Sequence, residues 1–430
     1  MTITPARPRT HTPRRRRHRV PAPPRHAISL LPEPAPPAEP RSRRAPVRRT
    51  CLRAALLRCG LYLGPLSVAT AAGEPLGRVA WPVPIVTLLL GWAAAQALTS
   101  TGVAVARRAG PSAATRLVGA GFAAVAALWC ALVWVTPSAL VGPDRGLALV
   151  IGLGGLASLA TVTAALVTRS EAAIVGWSVP CWLLAAATLA GPAGESVAEL
   201  PVGTLLPAAI VVAAVRAFRP VVIPGVPGRI PRLTRPELRR GSTFLLIGAS
   251  QAICVGQLWQ AGPSGSTMPF WLPLLLAVPI LEALIGWHTD QVDAGLDTSP
   301  DGAAYRKHVR GVTLITLAGL LPPLAVGIAL ALAAYRLPPE APSQADVLGL
   351  AGGTLLGGVF AVTFLLAARG RTGLAATLAA APPVAAAALP LLPLPAAGPL
   401  PDAVAVLAAT HLAGLLAVAM TAADDRRTAP

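Results

Sequence analysis

Charge is scarce in this chain. Only 13% of its 430 residues are charged, while 54% are hydrophobic. A soluble globular domain carries about twice that charged fraction, so a string of ordinary soluble domains is excluded. Lysine is all but missing: Lys307 is the sole example, and arginine supplies the rest of the 36 basic residues. The five cysteines (Cys51, Cys59, Cys130, Cys181 and Cys254) form no CxxC pair, and all but Cys51 lie in apolar sequence. That pattern excludes a disulfide framework and a zinc site. No glycine-rich phosphate loop with its lysine occurs, and no Ser/His/Asp set or cluster of metal ligands is recognisable. An ATPase module, an enzyme and a bound metal or cofactor are therefore not expected. Short segments of alternating polarity are missing too, which excludes a transmembrane barrel.

What the chain has instead is apolar sequence in blocks of about 20 residues, enough to cross roughly 30 Å of hydrocarbon. The blocks lie at roughly 54–72, 80–105, 117–136, 146–168, 172–190, 200–217, 242–261, 268–287, 311–334, 347–368, 373–396 and 402–422. They predict an all-α integral membrane protein of about twelve transmembrane helices in two six-helix halves. The implied division is a disordered Arg/Pro-rich cytoplasmic tail (1–53), a first half (54–217), a basic linker (218–241), a second half (242–422) and a short tail (423–430). Arg48-Arg49-Thr50-Cys51-Leu52 ahead of an apolar run ending Ala69-Thr70-Ala71-Ala72 looks like a twin-arginine signal. Arg53 and Arg58 interrupt that run and more membrane sequence follows it, so an uncleaved first helix is expected.

The net charge is +18, and residues 1–50 alone hold thirteen arginines against two acids. The stretch Arg216–Arg240 adds seven arginines against Glu237, with five prolines among them, and reads as an extended loop. Arg107, Arg108 and Arg116, then Arg169, Arg306–Arg310, and Arg369 with Arg371 all fall on the side of the amino terminus if the spans alternate. The opposite loops carry Glu74, Asp144, Glu195, Glu199, Glu340 and Asp346. This bias predicts a cell-membrane protein with both termini cytoplasmic. The positive charge is then a matter of topology, with the tail held on the anionic inner leaflet and no nucleic-acid partner. An alternative use of the tail is docking on a glycosyltransferase or another membrane partner.

Several local patterns stand out. Trp81, Trp134, Trp271 and Trp287 sit near span ends as interface anchors. Trp81-Pro82-Val83-Pro84 before Leu88-Leu89-Leu90 is echoed by Trp271-Leu272-Pro273 before Leu274-Leu275-Leu276, a hint of a parallel repeat of the kind found in secondary transporters. After span eight, Asp290, Asp293 and Asp297 share one helical face. Ser299-Pro300-Asp301 then reads as an N-cap, a first-turn proline and an acid before a new helix carrying Tyr305 to Arg310. This predicts a solvated helical hairpin.

Ionisable groups inside spans are costly and hence functional suspects. They are Arg58 in span one, Glu282 in span eight and His411 in span twelve. Span seven is the most polar: Ser250, Cys254 and Gln257 share a face, flanked by Gln251 and Gln260, with Gln96 in span two a lesser case. The substrate-binding candidates are Ser250, Gln251, Gln257, Glu282 and Arg58. For the span-seven stripe the competing use is hydrogen-bonded contact between helices. Pro180, Pro279, Pro322-Pro323 and Pro382-Pro383 predict kinked or broken helices.

The twelve spans, 6+6 division and basic central loop resemble two transporter families. The major facilitator family has a Gly…Asp-Arg…Gly-Arg-Arg pattern after its second span, whereas Ala106-Arg107-Arg108-Ala109-Gly110 here lacks the Asp and the closing basic pair. The layout over 54–422 is similar to the flippase superfamily of multidrug (MATE) and polysaccharide exporters. The acid-bearing span eight and its helical extension resemble the polysaccharide-exporter branch. This resemblance implies export of lipid-linked or polysaccharide material. The alternatives are a non-transporting partner of a polysaccharide synthase and a major-facilitator-like small-molecule exporter.

Overall fold

The structure is a computed structural model that describes residues 47–190, 201–222, 231–262, 272–338, 342–391 and 398–422. Every element among them is helical. Twelve helices of sixteen residues or more follow in order: α1 Val47–Ala71, α2 Pro82–Ala109, α3 Pro111–Val135, α4 Arg145–Thr168, α5 Glu171–Ala190, α6 Val202–Ala217, α7 Arg235–Ala261, α8 Leu272–Thr298, α9 Gly302–Ala334, α10 Pro342–Ala368, α11 Thr372–Ala388 and α12 Pro399–Met420. Eight of them are long and apolar enough to cross a membrane on length and composition, with shorter apolar helices at Ala55–Ala71, Val202–Ala217 and Thr372–Ala388. Their outer faces expose leucine, valine and isoleucine, including Val211, Val215, Leu245, Leu314, Leu321, Val326, Leu412 and Leu416. Apolar surface on that scale is untenable in water. The chain is a multi-pass membrane protein.

The helices stop and start where local chemistry dictates. Asp144 caps α4 by accepting from the Leu147 amide at 2.9 Å, one of the four donors that a helix start leaves unpaired. α4 ends with Arg169 in the left-handed region, φ 56°, where the Ser170 amide reaches back to the Ala165 carbonyl. α10 ends the same way at Gly370, φ 78°, with the Arg371 amide on the Leu366 carbonyl. Arg369 is 7% exposed. Its guanidinium donates to the Val418 and Thr421 carbonyls at the end of α12, where a helix dipole favours a cation.

Packing repeats between the halves. Within the first half α1 packs on α5, α2 on α3 and α4, α3 on α4, and α6 on α4 and α5. Adding six to each label gives the second half: α7 on α11, α8 on α9 and α10, α9 on α10, and α12 on α10 and α11. α10 is the hub of its half, with 89% of its apolar window buried. The halves meet through α1 against α8 and α2 against α7, and the same shift of six exchanges these two pairs. Glycines let the second pair close tightly. A Cβ on Gly248 would sit 3.0 Å from the Ala93 Cα, one on Gly256 3.2 Å from Ile85, and one on Gly241 2.8 Å from Thr101.

Four local expectations change. The helix of the first span begins at Val47 and not near 54, because Arg48, Arg49 and Arg53 tolerate helix well. The central loop is not extended throughout. Thr234 and Glu237 form a capping box with Pro236 in the first turn, so α7 starts at Arg235 and carries Arg239 and Arg240. In the hairpin the cap is Asp301 and not Ser299. α8 runs on to Thr298, leaving Asp301 in extended backbone with its carboxylate on the Ala304 amide at 2.7 Å. Pro322-Pro323 lie within a single continuous α9. Residues 1–46 and 423–430, Arg229, Glu195, Glu199, Glu340 and Trp271 lie outside the described residues.

Candidate functional site

The first seam, α1 against α8, brings together two of the suspect residues. Arg58 lies eleven positions into α1, and Glu282 lies five before Trp287 in α8. The Arg58 guanidinium is 3.4 Å from one Glu282 carboxylate oxygen, with 30% and 17% of the two side chains exposed. The other carboxylate oxygen accepts from the Tyr62 hydroxyl at 2.8 Å. One cation, one anion and one phenol thus hold the halves together in an apolar setting. Neither charge is fully withdrawn from the surroundings.

The second seam is joined by Gln251. Its side-chain carbonyl accepts from the Trp92 indole of α2 at 2.9 Å, and its amide donates to the Thr363 hydroxyl of α10 at 3.4 Å. Gln251 is 1% exposed and Thr363 fully buried. The Trp92 ring stacks on Phe360, centroids 6.5 Å apart. Further along the same seam, Arg108 at the end of α2 donates to Glu237 at 3.1 Å and to the Arg232 carbonyl at 3.2 Å. The α2–α7 contact therefore runs from Ile85 to Arg108 as one continuous zip.

The other candidates sit differently. Ser250 is 4% exposed and Cys254 packs into the core of the second half, while Gln257 is half-buried and Gln260 exposed. The face through Ser250, Cys254 and Gln257 is thus mostly engaged in helix packing, and its flank, Gln251, makes the bond across the halves. Gln96 lies against Gly248 in the same seam. His411 is fully buried on α12, with its ring against Gly358 of α10. Among the described residues no three His, Cys, Asp or Glu side chains converge as a metal site. Tyr62, Trp92 and Thr363 escaped the sequence reading. Tyr62 was within reach of it, because it follows Arg58 by four residues and so shares its face. Trp92 and Thr363 carried no such signal.

No family model matches the sequence, and no curated protein matches it either. Solved structures do match. An outward-facing multidrug resistance MATE family transporter of the MOP superfamily is 12% identical, with a TM-score of 0.56, covering 89% of this chain and 97% of that one. A MATE structure in the straight conformation gives 12%, 0.56, 89% and 96%. A MATE structure in complex with MaL6 gives 13%, 0.54, 89% and 97%. The chain has the MATE transporter fold over nearly its whole described length.

Proposed function

We propose that this chain is an exporter of the cell membrane, crossing it twelve times with both termini cytoplasmic, whose six-helix halves rock about the two seams. The observation that carries this is the Arg58–Glu282 pair. A charged pair placed between two repeated halves, part exposed and held by one phenol, is a contact that can be made in one state and broken in another. Alternating access through rigid-body motion of one repeat against the other needs such a contact. It needs a cargo that interacts differently with the two states as well.

For the cargo we favour lipid-linked or polysaccharide material. Arg58 is the more exposed partner, at the level where a phosphate-bearing amphiphile would slide in from the inner leaflet, and a phosphate competes with a carboxylate for a guanidinium. Capture of the phosphate would free Glu282 and loosen the seam. The Arg-rich tail would hold the assembly on the anionic leaflet, beside a glycosyltransferase that supplies the lipid-linked chain. A second reading, a small cationic cargo on Glu282, draws on the Tyr62 hydroxyl at that carboxylate and on the multidrug resistance transporter that shares the fold.

The two separate in proteoliposomes loaded with a fluorescent polyprenyl-pyrophosphate saccharide, with capture by an external lectin as the readout. Arg58→Gln should abolish translocation and Glu282→Gln should leave it measurable. Loss with Glu282→Gln alone, together with uptake of a cationic dye, selects the small-molecule reading. No transport of either by the wild-type protein refutes export and leaves a non-transporting membrane component.

A further inference from the structure

Away from both seams, a groove of about 470 Å³ opens between the end of α8 and the start of α9. Trp287 and Gln291 line it from α8, and Lys307, His308, Gly311 and Ile315 from α9. The α9 residues fall at i, i+1, i+4 and i+8, a single stripe. The groove straddles a polarity boundary. The apolar run of α8 ends at Trp287, and that of α9 begins after Arg310. Gly311 and Ile315 therefore lie on the hydrocarbon side, and Lys307 and His308 on the polar side.

Each wall has a defined character. His308 Nε2 is 3.0 Å from the Gln291 carbonyl, so the imidazole bridges the two helices and shapes the polar end. Lys307 is exposed. Asp290, Asp293 and Asp297 are also exposed but are not among the residues that line the groove. The lining therefore holds a cation and no acid. A Cβ at Gly311 would meet nothing within 4 Å, so the apolar end is open. Ile315 is 58% exposed beside it, and the Trp287 indole is the kind of side chain that prefers the headgroup level.

We propose that this groove is a binding site for an anionic glycerophospholipid, its phosphate on Lys307 and one acyl chain along Gly311 and Ile315. A soluble anion would use only the polar end. A lipid uses both, and basic pockets between membrane helices suit such headgroups. Every residue involved belongs to the second half, so the site does not rest on the transport reading.

Native mass spectrometry of the delipidated full chain tests it, with phosphatidylglycerol and phosphatidylcholine as probes. The wild-type protein should retain phosphatidylglycerol at about fivefold lower concentration than phosphatidylcholine, the gain expected of one lysine near a headgroup. Lys307→Gln should remove that preference. Gly311→Leu, which fills the apolar end, should weaken both lipids. Arg336→Gln, an exposed cation elsewhere, should change nothing. Lys307→Gln folds whether or not Gly311→Leu does, because its side chain is exposed. Equal retention of the two lipids by the wild-type protein, an unchanged preference in Lys307→Gln, or displacement by glycerol phosphate at equal concentration would each overturn the proposal.

Discussion

Replacing Glu282 by Gln should weaken the fold more than removing both charges of the pair. At 3.4 Å two unit charges attract by about 5 kcal/mol at an effective dielectric of 20. Hydration lost by the two groups offsets much of this, and with 30% and 17% of the side chains exposed a net coupling of about 2 kcal/mol is expected. An arginine left alone in hydrocarbon costs about 3 kcal/mol on insertion scales, the same order by an independent route. The introduced glutamine still accepts from the Tyr62 hydroxyl, so the substitution isolates the charge. Arg58→Gln should cost less, since Tyr62 continues to donate to the stranded carboxylate. The double variant has no buried charge and should regain most of the loss. The assay is thermal unfolding of the full chain in nanodiscs, followed by tryptophan fluorescence. At about 2.1 cal/mol/K per residue of unfolding entropy, 2 kcal/mol corresponds to roughly 2 °C in this chain. If the double variant loses as much as the two single variants combined, the charges do not interact and the seam argument fails.

Three further outcomes are expected. Gln251→Leu strands the Trp92 indole and should cost about 1–2 kcal/mol, while Gln251→Leu with Trp92→Phe should be nearly neutral; unfolding temperatures in nanodiscs check both. Gly248→Ala puts a methyl 3.0 Å from the Ala93 Cα and 2.9 Å from Gln96, so it should force α2 from α7 at a cost of about 2 kcal/mol, visible as a lower unfolding temperature and weaker cross-linking of the two helices through introduced cysteines. Reporter fusions should place Arg232 inside the cell and Asp144 outside; both on one face would refute the alternation of the spans.

The repeat is where local sequence said least and the structure says most. Trp81-Pro82 and Trp271-Leu272-Pro273 are a faint echo, yet the main helix pairings of the first half all recur in the second, which adds α9 on α12. Helix packing depends on the shape of whole faces, and many sequences of small and branched residues give the same shape. The partners of the span-seven stripe are not legible in sequence for a related reason. A helix of this composition is polar enough on two faces, and only the position of α2 decides that Gln251 makes the bond across the halves while Ser250 and Cys254 pack inside one of them. The capping box at Thr234 is different: Thr-x-x-Glu is a local signal, but it lies among five prolines that by themselves favour an extended loop.

The helices themselves, their number of long apolar runs, their near-boundaries and the membrane setting follow from sequence alone, because a backbone in hydrocarbon must satisfy its own hydrogen bonds and a run of about 20 apolar residues has one way to do so. The charged suspects were legible for the same reason: an arginine and a glutamate inside such runs stand out at once. That Arg58 meets Glu282, 224 residues away, with Tyr62 donating to the other carboxylate oxygen, is a property of how α1 lies on α8. The partner of a charge is chosen by three-dimensional proximity, and no local pattern encodes it.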